Sequence, residues 1–372
     1  MEQLVIDVGG LQQLLDCLVQ QGHEVIGPRV RHGTVTLAPL RSVSELPAGV
    51  AEVQAPGSYR LEPVETGEGV RPLFAHRVGP ESWRHFLHPP AELLWSAERK
   101  ETHLQIHPRT AEPPRRAFLG VRACDLAAIA IQDRVLMEGA HADADYLARR
   151  NRLFIVAVNC TSAADTCFCH SMGCGPEVKE GFDLLLTELT KDGEHRFLVE
   201  AGSDAGADLL RILPSRPPER EELEERRRLL RQTAEGMKRT LSPRAASVLA
   251  RNLEHPRWQA LGERCLACGN CTSVCPTCFC SRMVEKTGLD GTRAEHWRHQ
   301  DSCFNAAHSY IHGGVLRHGR GSRYRQWLTH KLLHWQAQFG TPGCTGCGRC
   351  ITWCPVGIDL TEEVRALGEV AA

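Results

Sequence analysis

Apolar residues recur at helical spacing over residues 11–19, LQQLLDCLV, which predicts an amphipathic helix. Glycine and proline then break the chain into short apolar pieces, VIGPRV, TVTLAPL, PGSYRLEP and VRPLFAHRV, which read as short strands and turns. Pro89 and Pro90 precede AELLW and mark a helix start there. The middle of the chain has a clearer rhythm. RRAFLGV reads as a buried strand and runs directly into Arg122, Ala123 and Cys124; Asp125 then opens the periodic helix LAAIAIQDRVLM. RLFIVAV is a second buried-strand pattern, followed by Asn159 and Cys160, and FDLLLTEL with HRFLVE adds a further pair of helices or strands. Two strands that each deliver a cysteine to the following loop suit an α/β unit with a site at the carboxyl ends of its sheet.

Pro214, Pro217 and Pro218 lie beside a dense charge run and mark a boundary. EREELEERRRLLRQTAEGMKR is helical, acidic early and basic late as the helix dipole prefers, and reads as a solvated helix between domains. A second helix is expected in RYRQWLTHKLLHWQAQF. The predicted fold class is α+β: an α/β-type N-terminal and middle region, then a mostly helical C-terminal domain. Its expected units are a mixed region over 1–100, an α/β region over 101–212, a helical linker over 213–255 and the C-terminal domain over 256–372.

Composition changes this picture in one respect. The chain has 372 residues, enough for more than one core, and 44 basic against 45 acidic residues leave a net charge of -1. That balance gives no support to a nucleic-acid partner, and no apolar run approaches the ~18 residues of a membrane span. The opening residues read as folded sequence rather than a secretory leader. The 17 cysteines stand out. An odd number cannot pair completely, and a chain this long does not need disulfide staples, so metal-binding thiolates are the leading explanation.

Cys265, Cys268, Cys271 and Cys275 form C-x2-C-x2-C-x3-C followed by Pro276; Cys344, Cys347, Cys350 and Cys354 repeat the pattern before Pro355. This double run is the ligand pattern of two [4Fe–4S] clusters, in which each fourth cysteine serves the other cube, and it makes the mostly helical unit over 256–372 a ferredoxin-like dicluster domain. The expected sets are therefore Cys265, Cys268, Cys271 with Cys354, and Cys344, Cys347, Cys350 with Cys275. Gly269, Gly346 and Gly348 relax the tight turns between ligands. The competing reading is structural zinc in a scaffold protein. Cys124, Cys160, Cys167 and Cys169 are candidates for a third cube, against zinc or inert thiols, with Cys174 as a substitute ligand; Gly173 and Gly175 would let the backbone pass close to a cofactor. Cys17 reads as a core residue. Cys278, Cys280 and Cys303 read as buried neighbours of the cubes, and nothing in the spacing compels His299, His308 or His312 to be ligands.

GVRACD at 120–125, the NC…CFC…SMG…GP segment over 159–176, CLACGNCTSVCPTCFC, DSCFNAAHSYIHGG, RYRQWLTHK and GCTGCGRCITWCPVGID together resemble the β-subunit family of cytoplasmic bidirectional [NiFe] hydrogenases, the sulfhydrogenase type. The same family includes the equivalent electron-transfer subunit of anaerobic sulfite reductase. The resemblance spans residues 100–360 and implies a cytoplasmic, non-catalytic electron-transfer subunit of an oxidoreductase complex. Its implied partners are a flavin subunit that binds NAD(P)H and carries a [2Fe–2S] cluster, and the small and large [NiFe] subunits, or a sirohaem subunit in the sulfite reductase case. It assigns cluster roles to the eight dicluster cysteines and retains the four middle ones. The absence of G-x-G-x-x-G and P-loop motifs agrees with a conduit, and the His- and Arg-rich stretch 305–339 is a candidate interface.

Overall fold

The computed structural model describes residues 3–64, 69–101, 103–109 and 112–369. The strands are β1 (Gln3–Asp7), β2 (Glu24–Arg31), β3 (Thr34–Pro39), β4 (Val50–Ala55), β5 (Ser58–Pro63), β6 (Ala91–Lys100), β7 (His103–Pro108), β8 (Arg116–Val121), β9 (Leu153–Val158), β10 (Leu184–Leu189), β11 (Arg196–Ala201), β12 (Ser281–Thr287), β13 (Arg293–Gln300) and the short pair β14 (Tyr310–Ile311) and β15 (Gly314–Val315). A seven-stranded sheet runs in the order β1-β11-β10-β9-β8-β2-β3. Its central four, β10, β9, β8 and β2, are parallel, and antiparallel strands close both edges.

Central parallel strands are covered on both faces, which is why their sequences are apolar throughout rather than alternating. In β9, Phe154, Val156 and Val158 enter one core with Leu11, Leu14 and Leu18 of the helix Val8–Gln20, while Ile155 and Ala157 enter the other with Leu126 and Ile129 of the helix Ala123–Leu136. Helix Val8–Gln20 starts where Asp7 accepts a hydrogen bond from the Gly10 amide at 2.7 Å, so the predicted periodic stretch and its cap agree. Cys17 packs at the edge of the first core. FDLLLTEL and HRFLVE form the antiparallel pair β10 and β11.

The segment AELLW is a strand, not a helix start. It opens β6, one of the two interior strands of an antiparallel sheet ordered β12-β13-β6-β7. Pairing with β7 on one edge and with β13, about 200 residues away in sequence, on the other overrides the local proline signal. Glu92 on β6 fixes this sheet to the rest: it is buried and accepts from Arg298 of β13 at 2.5 Å and from Arg149 and Arg109. Burial alone would raise its pKa, but Arg149 and Arg298 more than reverse that and hold it below the usual carboxylate value. The stretch 70–78 is irregular rather than a strand; its Leu73 and Phe74 amides donate to the buried Glu188 carboxylate at 2.6 and 2.9 Å.

The charge run forms the helix Arg220–Glu235, with Glu221 and Glu222 in its first turn. Only Glu222, Leu230 and Thr233 are buried, while Leu223 and Leu229 pack on Val5, Leu189 and Leu198 of the large sheet. The C-terminal core gathers helices Ala245–Arg251, Arg257–Arg264, Arg320–Thr329 and Leu360–Gly368 around Trp258, Phe304, Tyr324, Trp327 and Ile351. Arg320–Thr329 continues without a break through a π-helical turn at His330–His334 into Trp335–Phe339. Its contact with Arg257–Arg264 is made glycine to glycine: a Cβ on Gly321 would stand 2.2 Å from the Trp258 carbonyl oxygen.

Candidate metal centre

The two cysteine runs fold as near copies. In each, a glycine in the left-handed region starts a short helix, Gly269 at φ 78° before Asn270–Ser273 and Gly348 at φ 78° before Arg349–Thr352. The short helices lie together, so the runs face each other although some eighty residues separate them in sequence. One cavity is lined by Cys265, Cys268, Cys271 and Cys354, with Phe304, Tyr324 and Trp327 behind them. A second cavity is lined by Cys275, Cys344, Cys347 and Cys350, with Thr277 and Lys331. Each cavity therefore meets three cysteines of one run and the fourth of the other. Cys350 borders both.

These residues fit cubane clusters in a chemical sense as well. Burial pushes the Cys271, Cys344, Cys347 and Cys350 thiols up, Cys344 to about 12, so such a crowd would not ionise without cations to bind. Among the described residues no three His, Cys, Asp or Glu side chains converge tightly enough to hold a single metal ion. The sulfurs are instead arrayed around cavities, the arrangement a multi-iron group requires.

Cys275 differs from its neighbours. The Cys278 thiol, the Lys331 ammonium and the Thr277 hydroxyl hold it well below its ordinary value despite full burial. Lys331 Nζ donates to Thr277 Oγ1 at 2.7 Å and lies 3.3 Å from Cys275 Sγ. Burial would lower the Lys331 pKa, but the sulfurs of Cys275, Cys278 and Cys344 raise it above the lysine range. Sequence reading passed over Lys331. A signal was present: it interrupts the buried stripe Trp327, Leu328, Leu332, Trp335 at the spacing of one helix face.

The middle cysteines lie directly against the second run. Cys124 begins the helix after β8, Cys160 follows β9, and Cys167 and Cys169 sit in the next loop. The Phe168 amide donates to the Gly346 carbonyl at 2.9 Å, and the Cys174 thiol to the Thr345 carbonyl at 3.0 Å. A Cβ on Gly346, itself at φ 67°, would stand 2.7 Å from the Cys169 backbone, and one on Gly175 would stand 2.7 Å from Cys169 Sγ. Cys124 and Cys169 share an apolar cluster with Cys347, and partly buried Cys174 packs against it. Burial raises Cys124 and Cys169 and lifts Cys167 and Cys174 to about 12, with neighbouring thiols adding to the effect. Arg349 of the second run and Asp125 beside Cys124 form a buried ion pair at 2.9 Å, and Arg349 also donates to the Gly79 carbonyl at 3.0 Å. Thr352, Thr166 and Gln54 close a second buried link, with contacts of 2.8 and 2.9 Å.

Cys278 abuts Cys275, and Cys280 faces Cys303, which lowers Cys280 to about 6. His299, His308 and His312 line neither cavity. His308 instead pairs with Asp301 at 3.0 Å.

A family model described as a 4Fe-4S dicluster domain matches residues 264–358. The chain is 33% identical over 264 residues to sulfhydrogenase 2 subunit beta of Pyrococcus furiosus, an alignment covering 68% of this chain and 73% of that protein. It belongs to the hydrogenase β-type iron–sulfur subunits. No solved structure matches the chain significantly. Membership of the hydrogenase β-type family gives this chain an iron–sulfur electron-transfer role with [4Fe–4S] clusters. Among the described residues of this family member no helix is long and apolar enough to cross a membrane.

Proposed function

We propose that the chain relays single electrons between a flavin subunit that binds NAD(P)H and the small and large subunits of a [NiFe] hydrogenase. The observation that carries this reading is the pair of neighbouring cavities, each bordered by three cysteines of one run and the fourth of the other. Cys265, Cys268, Cys271 and Cys354 would hold one [4Fe–4S] cluster, and Cys344, Cys347, Cys350 and Cys275 the second. Cys124, Cys160, Cys167 and Cys169 would hold a third, beside Cys347. When bound, such groups supply one-electron oxidation and reduction without proton or atom transfer. The residues of this chain bind and insulate them. Phe304, Tyr324 and Trp327 keep water from the first set, and the Asp125–Arg349 and Gln54–Thr166–Thr352 links hold the middle cysteines against the second. Cys268 is exposed, so the first set lies nearest the surface and suits exchange with a partner. The similarity to a sulfhydrogenase subunit favours hydrogenase partners over a sirohaem sulfite reductase.

Anaerobic purification with iron and sulfide analysis tests the cluster part. Twelve iron atoms per chain are expected from three cubes of four; eight would remove the third, and zinc without iron would overturn the relay. Affinity-tagged chain should co-purify with nickel-containing subunits and restore NAD(P)H-dependent hydrogen evolution to a preparation lacking it. A sirohaem protein recovered in their place would overturn the hydrogenase assignment.

A further inference from the structure

The two dicluster cavities differ sharply in charge. The first is bordered by cysteines, apolar side chains and Asn270, with no lysine or arginine. The second has Lys331 in its wall. Lys331 is 5% exposed, and its Nζ contacts are Thr277 Oγ1 at 2.7 Å, Cys275 Sγ at 3.3 Å and the Gly343 carbonyl oxygen at 3.5 Å. None of these partners is a carboxylate. Arg84, 3% exposed, holds the chain on either side of Cys275, donating to the Cys278 carbonyl at 2.6 Å and the Ser273 carbonyl at 2.9 Å, again without a carboxylate. Isolated buried cations are strongly unfavourable, so both charges call for a negative group nearby. Cysteine sulfurs are the negative groups facing both cations, Cys275 and Cys278 in each case, and Cys275 of the second set lies 3.3 Å from Lys331 Nζ. The helix opens into a π turn at His330–His334, a local distortion found often at functional sites, and Lys331 projects from that turn.

Reduction of a thiolate-held cube adds one negative charge to a group that is already negative. A buried cation and a hydrogen bond to a ligand sulfur stabilise the reduced form more than the oxidised one. We propose that Lys331 sets the two dicluster potentials apart, making the set at Cys275, Cys344, Cys347 and Cys350 easier to reduce than the set at Cys265, Cys268, Cys271 and Cys354. This rests on the cluster assignment above. It gives the relay a direction: an electron entering at the exposed first set runs downhill to the second, where it waits beside the middle cysteines. Lys331 acts here as a positioning and tuning residue through the Cys275 sulfur.

The test is an EPR-monitored potentiometric titration of the full chain, purified anaerobically, as wild type, Lys331→Met and Lys331→Arg. Methionine keeps an unbranched stem as far as the ε position and suits the apolar stripe around it. The expected result is two distinct dicluster midpoints in the wild type. In Lys331→Met the higher one moves negative. The ratio of reduced to oxidised cluster at the wild-type midpoint falls at least tenfold, equivalent to about 59 mV for one electron. The lower midpoint and the iron content stay as they were, and Lys331→Arg stays within threefold of wild type. A fully loaded Lys331→Met protein with both midpoints unmoved, or with only the lower one moved, would sink the proposal. If Lys331→Met does not load iron, Lys331→Gln decides, since it removes the charge and leaves Thr277, with its own 3.2 Å contact to Cys275 Sγ, untouched. Its higher midpoint must also move negative, and no movement overturns the idea. Wild-type protein without iron and sulfide would instead refute the cluster assignment itself.

Discussion

The Asp125–Arg349 pair should be a structural link between the middle region and the second cysteine run, and a double-mutant cycle can measure it. The side chains are 4% and 3% exposed, with an N–O separation of 2.9 Å, and they sit beside Cys124 and Cys347. Charges ~4 Å apart at an effective dielectric of ~20 attract by about 4 kcal/mol. Desolvation offsets much of that for the intact pair, but removal of one partner leaves the other buried and uncompensated, at a cost of about 3–5 kcal/mol. Asp125→Leu and Arg349→Met alone should each destabilise by that amount. The double variant replaces the pair with apolar side chains and should recover much of the loss, giving a coupling energy of at least ~2 kcal/mol. Anaerobic urea unfolding followed through tryptophan fluorescence reads this, because Trp258, Trp327 and Trp335 are buried in the C-terminal region. Single losses below about 1 kcal/mol, or strictly additive effects in the double variant, would refute the argument.

Glu92→Gln tests the three-arginine contact that joins the small sheet to the helix Ala144–Arg150. Because the folded pKa of Glu92 is depressed, its contribution is full above the ordinary carboxylate range and disappears as pH falls through the folded value. The variant should be less stable than wild type at pH 7, and the gap should close as pH falls below the ordinary carboxylate range. Equal stability at pH 7, or a gap that does not narrow in acid, would contradict this in urea titrations. Gly346→Ala forces a left-handed alanine, at ~1–2 kcal/mol, and crowds the Cys169 backbone at 2.7 Å, at ~1–3 kcal/mol. A loss of about 2–5 kcal/mol with reduced iron per chain is expected; wild-type stability and iron loading would show that the contact relaxes freely.

Much of the candidate site was legible in the chain itself because its information is local. Ligand spacing within C-x2-C-x2-C-x3-C fixes where three sulfurs can point, and the glycines at 269, 346 and 348 do adopt the left-handed turns that spacing demands. The strands at 116–121 and 153–158 were equally plain, since burial on both faces requires unbroken apolar runs. AELLW misled because five residues after a proline pair carry a helix signal, while the strand that captures them lies far along the chain. The hairpin of β12 and β13 gave no comparable warning: its residues are mostly polar and only partly buried.

The sequence alone determined the chemistry, thiolates in cluster-forming runs, and the apolar strands that carry Cys124 and Cys160 to one end of a sheet. The tertiary structure decided which sulfurs become neighbours across the chain, and it placed the middle cysteines against Gly346 rather than at a separate site. It also brought Lys331 to one sulfur of one set. Such asymmetry depends on side chains more than fifty residues apart meeting in a buried space, and no local pattern of apolar and polar residues encodes that meeting.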